Sequence, residues 1–194
     1  MRELLKPVLS LFIICFVVAL CLSVVNFYTR DVITQRTIQD AATVRKQVLP
    51  AADLFTKKKD WIPKDASSSI IREVYLGTAS GKPVGLVYTA WSKGYAGEIK
   101  VLIGISLDGL ITGVQVIEQK ETPGLGAKTK EAVFVNQYQN KKIDMKWLVV
   151  KKKPVSEQEI QAISGATISS KAVTLAVQIV SEQSKIILQG KVEP

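Results

Sequence analysis

The sequence predicts an α+β protein: a single N-terminal transmembrane helix, then a domain with a mainly antiparallel sheet and flanking helices. Three observations carry this reading. Between Lys6 and Arg30 runs an uncharged stretch broken only by Ser10, Ser23, Asn26 and Thr29. From Ile70 to Glu118, short β-type segments are punctuated by glycine-containing turns. From Ile168 to Ile187, apolar residues return at helical spacing. Helices, then strands, then helices is the order of an α+β chain, not of alternating βα units.

In chain order, residues 1–29 read as an anchor. As a helix, its roughly 20 apolar residues match a bilayer core of about 30 Å. A cleaved signal peptide is the competing reading, but it calls for a shorter apolar region and an A-x-A-like site, which is absent here. Basic residues stand on both sides, Arg2 and Lys6 before the run and Arg30, Arg36, Arg45 and Lys46 after it, so charge alone leaves the orientation open. Residues 30–69 read as a connector and linker. A sparse helical pattern from Asp31 to about Val48 is ended by Pro50, and a polar, lysine-rich loop follows from Leu54 to Ser69.

Residues 70–194 read as the main domain. Ile70 to Thr78 and Val84 to Ala90 are strands joined at Ser80-Gly81-Lys82-Pro83, and Lys93 to Gly97 breaks the pattern. Ile99 to Ser106 and Ile111 to Glu118 are strands joined through Leu107-Asp108-Gly109-Leu110, whose Asp-Gly pair signals a hairpin. Beyond a Pro- and Gly-rich loop, Thr129 to about Tyr138 suggests a helix and Met145 to Lys152 a strand. Ser156 with Glu159 forms a capping box that predicts a short helix from Glu157 to Ile163. The long helical pattern then opens with Ile163 to Ser170.

Composition excludes several classes of chemistry. The chain has no histidine, and its two cysteines, Cys15 and Cys21, both fall within the anchor. That removes protein-bound iron–sulfur clusters, Cys-attached haem, His/Cys zinc sites and Cys or His nucleophiles from the domain. Any redox work must then be carried by an organic cofactor. The net charge is +9, with runs at Lys57-Lys58-Lys59 and Lys151-Lys152-Lys153. No helix-turn-helix or RNA-binding motif accompanies this charge, so nucleic acid is not expected as a partner. A solvated basic surface, or one facing anionic lipid or an acidic partner protein, suits it better.

Three separated stretches remain: Lys93 to Gly97, Glu121 to Gly126, and Ser164 to Thr167. Each alone reads as a turn. The last has a second reading, because a helix N-terminus presents free N–H groups and a partial positive charge that suit a phosphate. There Gly165 and Ala166 would let the backbone come close, and Ser164 can cap.

Together, Gly94-Tyr95-Ala96-Gly97-Glu98-Ile99, Glu121-Thr122-Pro123-Gly124-Leu125-Gly126 and Ser164-Gly165-Ala166-Thr167 carry a resemblance. The chain resembles the membrane-anchored FMN-binding domain family, in particular the G subunit of the Rnf ion-translocating electron-transport complex. The C subunit of the sodium-pumping NADH:quinone oxidoreductase is its relative. The resemblance covers roughly residues 84 to 188 and the anchor. It implies FMN joined by a phosphoester to Thr167, installed by a flavin transferase, with Ser164, Gly165 and Ala166 completing the attachment motif. It also implies that Glu121, Thr122, Gly124, Leu125 and Gly126 lie against the flavin ring and that Tyr95 is a further flavin-side element. Gln161 and Gln119 stand where the family usually has Asp and His, and neither change removes the attachment hydroxyl.

The implied function is a one-electron relay, with the chain a non-autonomous electron-transfer subunit of a redox-driven ion translocase. The complex would couple electron flow between ferredoxin and NAD to Na⁺ or H⁺ transport, and the partners would be its other subunits. The chain would be single-pass in the cell membrane, with the FMN domain on the extracytoplasmic side. Two alternatives are a membrane-anchored covalent flavoprotein of another redox system and a non-redox anchored binding module.

Overall fold

The computed structural model describes residues 11–20, 22–23, 42–64 and 66–190. Residues 11–20 and 22–23 are helical, and their large apolar side chains, Phe12, Phe16 and Leu22 among them, are exposed. The rest of the expected anchor lies outside the described residues, and among those described no helix is long and apolar enough to cross a membrane. Of the expected connector helix, residues 42–48 are described and helical, and the helix stops ahead of Pro50.

A compact unit begins at Val44. Its sheet has five antiparallel strands in sequence order: β1 (Leu54–Lys57), β2 (Ile71–Ala79), β3 (Lys82–Lys93), β4 (Glu98–Ser106) and β5 (Ile111–Glu118). The junctions follow the sequence signals. Ala79 pairs with Lys82, so Ser80 and Gly81 alone make the first turn, both with positive φ (50° and 78°), as a two-residue hairpin link requires. The Gly94 N–H donates to the Gly97 carbonyl at 2.8 Å and closes the β3–β4 hairpin beside the Lys93–Glu98 pair. In the β4–β5 loop the Leu110 N–H donates to Ser106 Oγ at 3.2 Å, and Gly109 takes φ +73°.

Alternation along β2–β4 sends Val74, Leu86, Tyr88, Ile103 and Ile105 to one face, and a register shift between Ile71 and Glu73 brings Ile71 into the same core; all six are fully buried. The long helix that packs there, labelled α2 below, spans Thr167–Gln189. Its helical spacing is legible in the sequence, but the buried face differs from the apolar positions expected. Ile168 and Ile186 are exposed, while Ala172, Val173, Ala176, Val177 and Val180 share the interior with Ser169, Ser170, Thr174, Ser181 and Ser184. Three of these hydroxyls are satisfied by their own helix, and Ser169 by Glu121. Ser170 Oγ donates to the Ala166 carbonyl at 2.9 Å, Thr174 Oγ1 to the Ser170 carbonyl at 2.8 Å and Ser184 Oγ to the Val180 carbonyl at 2.7 Å.

The opposite face carries a second core of Val48, Leu49, Ala52, Tyr75, Val87 and Leu102. Here the chain from Val48 to Ala52 lies in a groove of glycines from four strands. A Cβ on Gly77 would meet Leu49 Cδ2 at 2.6 Å, one on Gly85 Leu49 Cδ1 at 2.9 Å and one on Gly113 Val48 Cα at 2.9 Å. A Cβ on Gly104 would run into the Val48 carbonyl itself, which also accepts a hydrogen bond from Thr112 Oγ1.

Four expected elements are corrected. The stretch expected as loop from Leu54 to Ser69 holds β1, paired with β2 from Leu54↔Thr78 to Lys57↔Tyr75. As an edge strand with mostly exposed side chains, it has almost no apolar pattern to betray it. The helix expected from Thr129 to Tyr138 is three short pieces, 3-10 turns at Gly126–Lys130 and Asn136–Tyr138 flanking α1 (Ala132–Val135). Glu131, extended at ψ 143°, breaks the run. The strand expected from Met145 to Lys152 shortens to β6 (Leu148–Val150).

The helix expected from Glu157 to Ile163 is instead a strand, β7 (Glu159–Gln161), parallel to β6. Glu159 does reach back, accepting from the Val155 N–H at 2.8 Å, but its own N–H closes a turn on the Ser156 carbonyl at 3.1 Å. Extension beyond that turn buries Ile160 completely between two outward-facing neighbours.

Gly104→Ala should lower the unfolding free energy by about 1–3 kcal/mol, because backbone cannot yield as a side chain can. Gly97→Ala, whose Cβ would meet only Lys120 Cβ at an ordinary 3.6 Å, should stay within about 0.5 kcal/mol. Urea midpoints of the two variants check this; equal midpoints would remove the groove as a packing constraint.

Candidate functional site

Two of the three glycine-containing stretches, and the helix that follows the third, meet at one carboxylate. Glu121 follows β5 by three residues and is 5% exposed. Its Oε1 accepts from the Ala96 N–H at 2.9 Å, and its Oε2 accepts from Ser169 Oγ in the first turn of α2. Glu121 thus ties together the β3–β4 loop, its own loop and the start of the long helix. Glycines on both sides leave room for the carboxylate. A Cβ on Gly94 would sit 2.5 Å from Oε1, and one on Gly126 would sit 2.5 Å from Oε2 and from Ser169 Oγ.

Past Glu121 the chain turns tightly. Leu125 and Ala127 N–H both donate to the Thr122 carbonyl at 3.2 Å, and Thr129 Oγ1 donates to the Gly126 carbonyl at 2.7 Å. Ahead of α2, the Ala166 N–H donates to the Ile163 carbonyl at 2.9 Å across a turn in which Gly165 takes φ +74°. Ser170 Oγ accepts from the Ile163 N–H at 3.0 Å and holds that turn against the helix. The N-cap of α2 is Ala166, with no side-chain cap, so Ser164 does not cap the helix; it sits exposed two residues earlier.

These loops surround a cavity of about 680 Å³. Of the residues expected from the sequence, Tyr95, Glu121, Thr122, Leu125, Gly126, Ser164, Gly165, Ala166 and Thr167 line it. Gly124 does not. Its φ is +77° and open space surrounds its Cβ position, so what it needs glycine for is the turn rather than a close approach. The close approaches in this loop belong to Gly126.

Lys151, Gln161, Ile163, Ile168 and Ser169 also line the cavity. Gln161 and Ile163 are brought there by β7, which the capping-box signal conceals. Lys151 belongs to a lysine run that reads as uniformly solvated. Ile168 reads as core because its spacing is helical, yet it faces the cavity.

The arrangement suits a flat aromatic ligand with an anionic tail. Tyr95 is 72% and Leu125 43% exposed, apolar surface with no core to fill. The volume lies in the ~300–1,000 Å³ range of small-molecule sites, and the polar groups are few and fixed in place. Along the α2 end, the hydroxyls differ in availability. Ser169 is buried against Glu121 and Ser170 is buried against Ala166 and Ile163. Thr167, half-buried at the first helical position, makes no side-chain hydrogen bond among the described residues.

The FMN-binding domain family matches residues 94–182. The G subunit of the Na⁺-translocating ferredoxin:NAD⁺ oxidoreductase complex of Acetobacterium woodii is 40% identical over 190 residues, covering 91% of both chains. The G subunit of the proton-translocating complex of Clostridium ljungdahlii is 34% identical, over 94% of this chain and 92% of its own. In fold, the chain is similar to the C subunit of the Na⁺-translocating NADH-quinone reductase of Parabacteroides distasonis. The TM-score is 0.57 at 22% identity, over 81% of this chain and 98% of that one.

Glu121→Ala would leave the Ala96 N–H and Ser169 hydroxyl without their acceptor, at about 1–3 kcal/mol for each buried group left unpaired. Glu121→Gln, which keeps an oxygen for Ala96, should cost less. Amide hydrogen exchange at Ala96 should speed up in Glu121→Ala and stay near wild type in Glu121→Gln. Unchanged exchange in both would show that the loops hold together without this side chain.

Proposed function

The chain belongs to the G-subunit family of Rnf ion-translocating oxidoreductase complexes, and we propose that it is their electron-transfer subunit, carrying FMN covalently through Thr167. The observation that carries this reading is the convergence of three distant loops on one cavity, with Thr167 the free hydroxyl at the start of α2. FMN supplies redox chemistry that none of this domain's own side chains can provide.

The residues present suit that group. Tyr95, Leu125 and Ile168 offer apolar surface for an isoalloxazine ring, and Gly126 keeps the loop floor close to Glu121. The N-terminus of α2 favours a phosphate at Thr167. Ser164, Gly165 and Ala166 hold the turn that presents this hydroxyl, and the Thr122 carbonyl closes the turn of the Glu121 loop that lines the same cavity. The chain's work is to hold and orient the flavin, shield it from water and set its potential through nearby charge and hydrogen bonds. A flavin transferase would install the cofactor, and the other subunits of the complex would supply and remove electrons while Na⁺ or H⁺ is moved.

Residues 1–29 would form a single-pass anchor in the cell membrane, followed by a connector from residue 30 and the flavin domain on the extracytoplasmic side. The exposed apolar surface of helical residues 11–20 and 22–23 supports an anchor.

Thr167→Ala should give a folded, membrane-bound chain whose band on a denaturing gel lacks flavin fluorescence, while the wild-type band fluoresces. Persistent fluorescence would move the attachment elsewhere, with exposed Ser164 the nearest candidate. For topology, protease added to intact spheroplasts should digest the domain, and protection until lysis would place it in the cytoplasm.

A further inference from the structure

Only two charged side chains stand among the described residues lining the cavity, Glu121 and Lys151. Glu121 is buried, and each of its oxygens already accepts a hydrogen bond. Lys151 is exposed and makes no ion pair or hydrogen bond with another described side chain. Its backbone is fixed nonetheless. It follows β6 directly, Val150 is in register with Gln161, and the Ala162 N–H donates to the Val150 carbonyl at 2.8 Å. Lys151 is thereby held beside the segment that leads into Ser164–Thr167. The next two lysines differ. Lys153 lines a separate groove with Phe134 and Pro154, and Lys152 lines neither.

We propose that Lys151 alone of the three-lysine run is a phosphate-positioning residue, the counter-charge to the phosphate ester of the flavin nucleotide held at Thr167. The proposal rests on the reading that Thr167 carries the flavin. An anion inside this cavity meets no other full positive charge on its described lining, and the acidic lining group, Glu121, is turned toward Ala96 and Ser169. The pair would be solvent-exposed, so its worth is that of a surface ion pair, modest and sensitive to salt.

The test uses the full-length chain produced with its flavin transferase, as wild type, Lys151→Gln, Lys151→Arg and Lys152→Gln. Covalent flavin is read by gel fluorescence at limiting transferase, and the loaded proteins by ³¹P NMR. Lys151→Gln should load about threefold less flavin. Its phosphodiester resonance should move from the wild-type position, Lys151→Arg should restore both readings, and Lys152→Gln should change neither. A resonance shift separates a contact with phosphate from help in docking the transferase, which would alter loading alone. Equal loading and an unmoved resonance in Lys151→Gln would overturn this proposal while leaving the flavin at Thr167 intact. So would an equal loss in Lys152→Gln. Wild type without covalent flavin would overturn the flavin reading and this proposal together.

Discussion

A carboxylate taken out of water must find hydrogen-bond donors, and Glu121 finds them in segments 25 and 48 residues away in the chain. That requirement organises the cavity. The Ala96 N–H can reach the carboxylate only if the β3–β4 hairpin turns at Gly94, and Ser169 can reach it only if α2 starts where it does. One motif supplies the carboxylate, another the Ala96 N–H, and the helix that opens after the third supplies the Ser169 hydroxyl.

The same constraint explains which hydroxyls remain available. Ser169 is spent on Glu121, and Ser170 is spent on the turn through Ile163 and Ala166. Securing the helix start consumes two hydroxyls and leaves Thr167, at the first helical position, facing the cavity. A site that needs both a firm helix N-terminus and an accessible hydroxyl meets both demands within one helical turn. The helix behind it is rich in small residues, and Ala172 and Ala176 let α2 lie close on the sheet.

Much of this was legible in the sequence. Alternation and turn chemistry point to β2 through β5, and the three glycine-containing loops account for nine of the cavity residues. What was not legible has physical causes. β1 is stabilised by backbone pairing at an edge, with Phe55 its one half-buried side chain, which leaves almost no alternating apolar trace. Ser156 and Glu159 form the contacts of a turn that happens to share its residue types with a helix cap, and pairing with β6 together with the burial of Ile160 favours extension. Gly124 and Gly126 look equivalent in sequence, yet one serves a turn and the other makes room for a carboxylate. Lys151 cannot be told from Lys152 and Lys153 without knowing that β6 runs beside β7.

The glycine groove has a mechanical consequence. The segment from Val48 to Ala52 rests on β2, β3, β4 and β5 through Gly77, Gly85, Gly104 and Gly113 before the chain enters β1. A tug on the unit's first residues is therefore shared among four strands at once. It is not delivered to edge strand β1, where hydrogen bonds would give way singly, like a zip. The groove works as a strain relief, the clamp that spares a cable's solder joint.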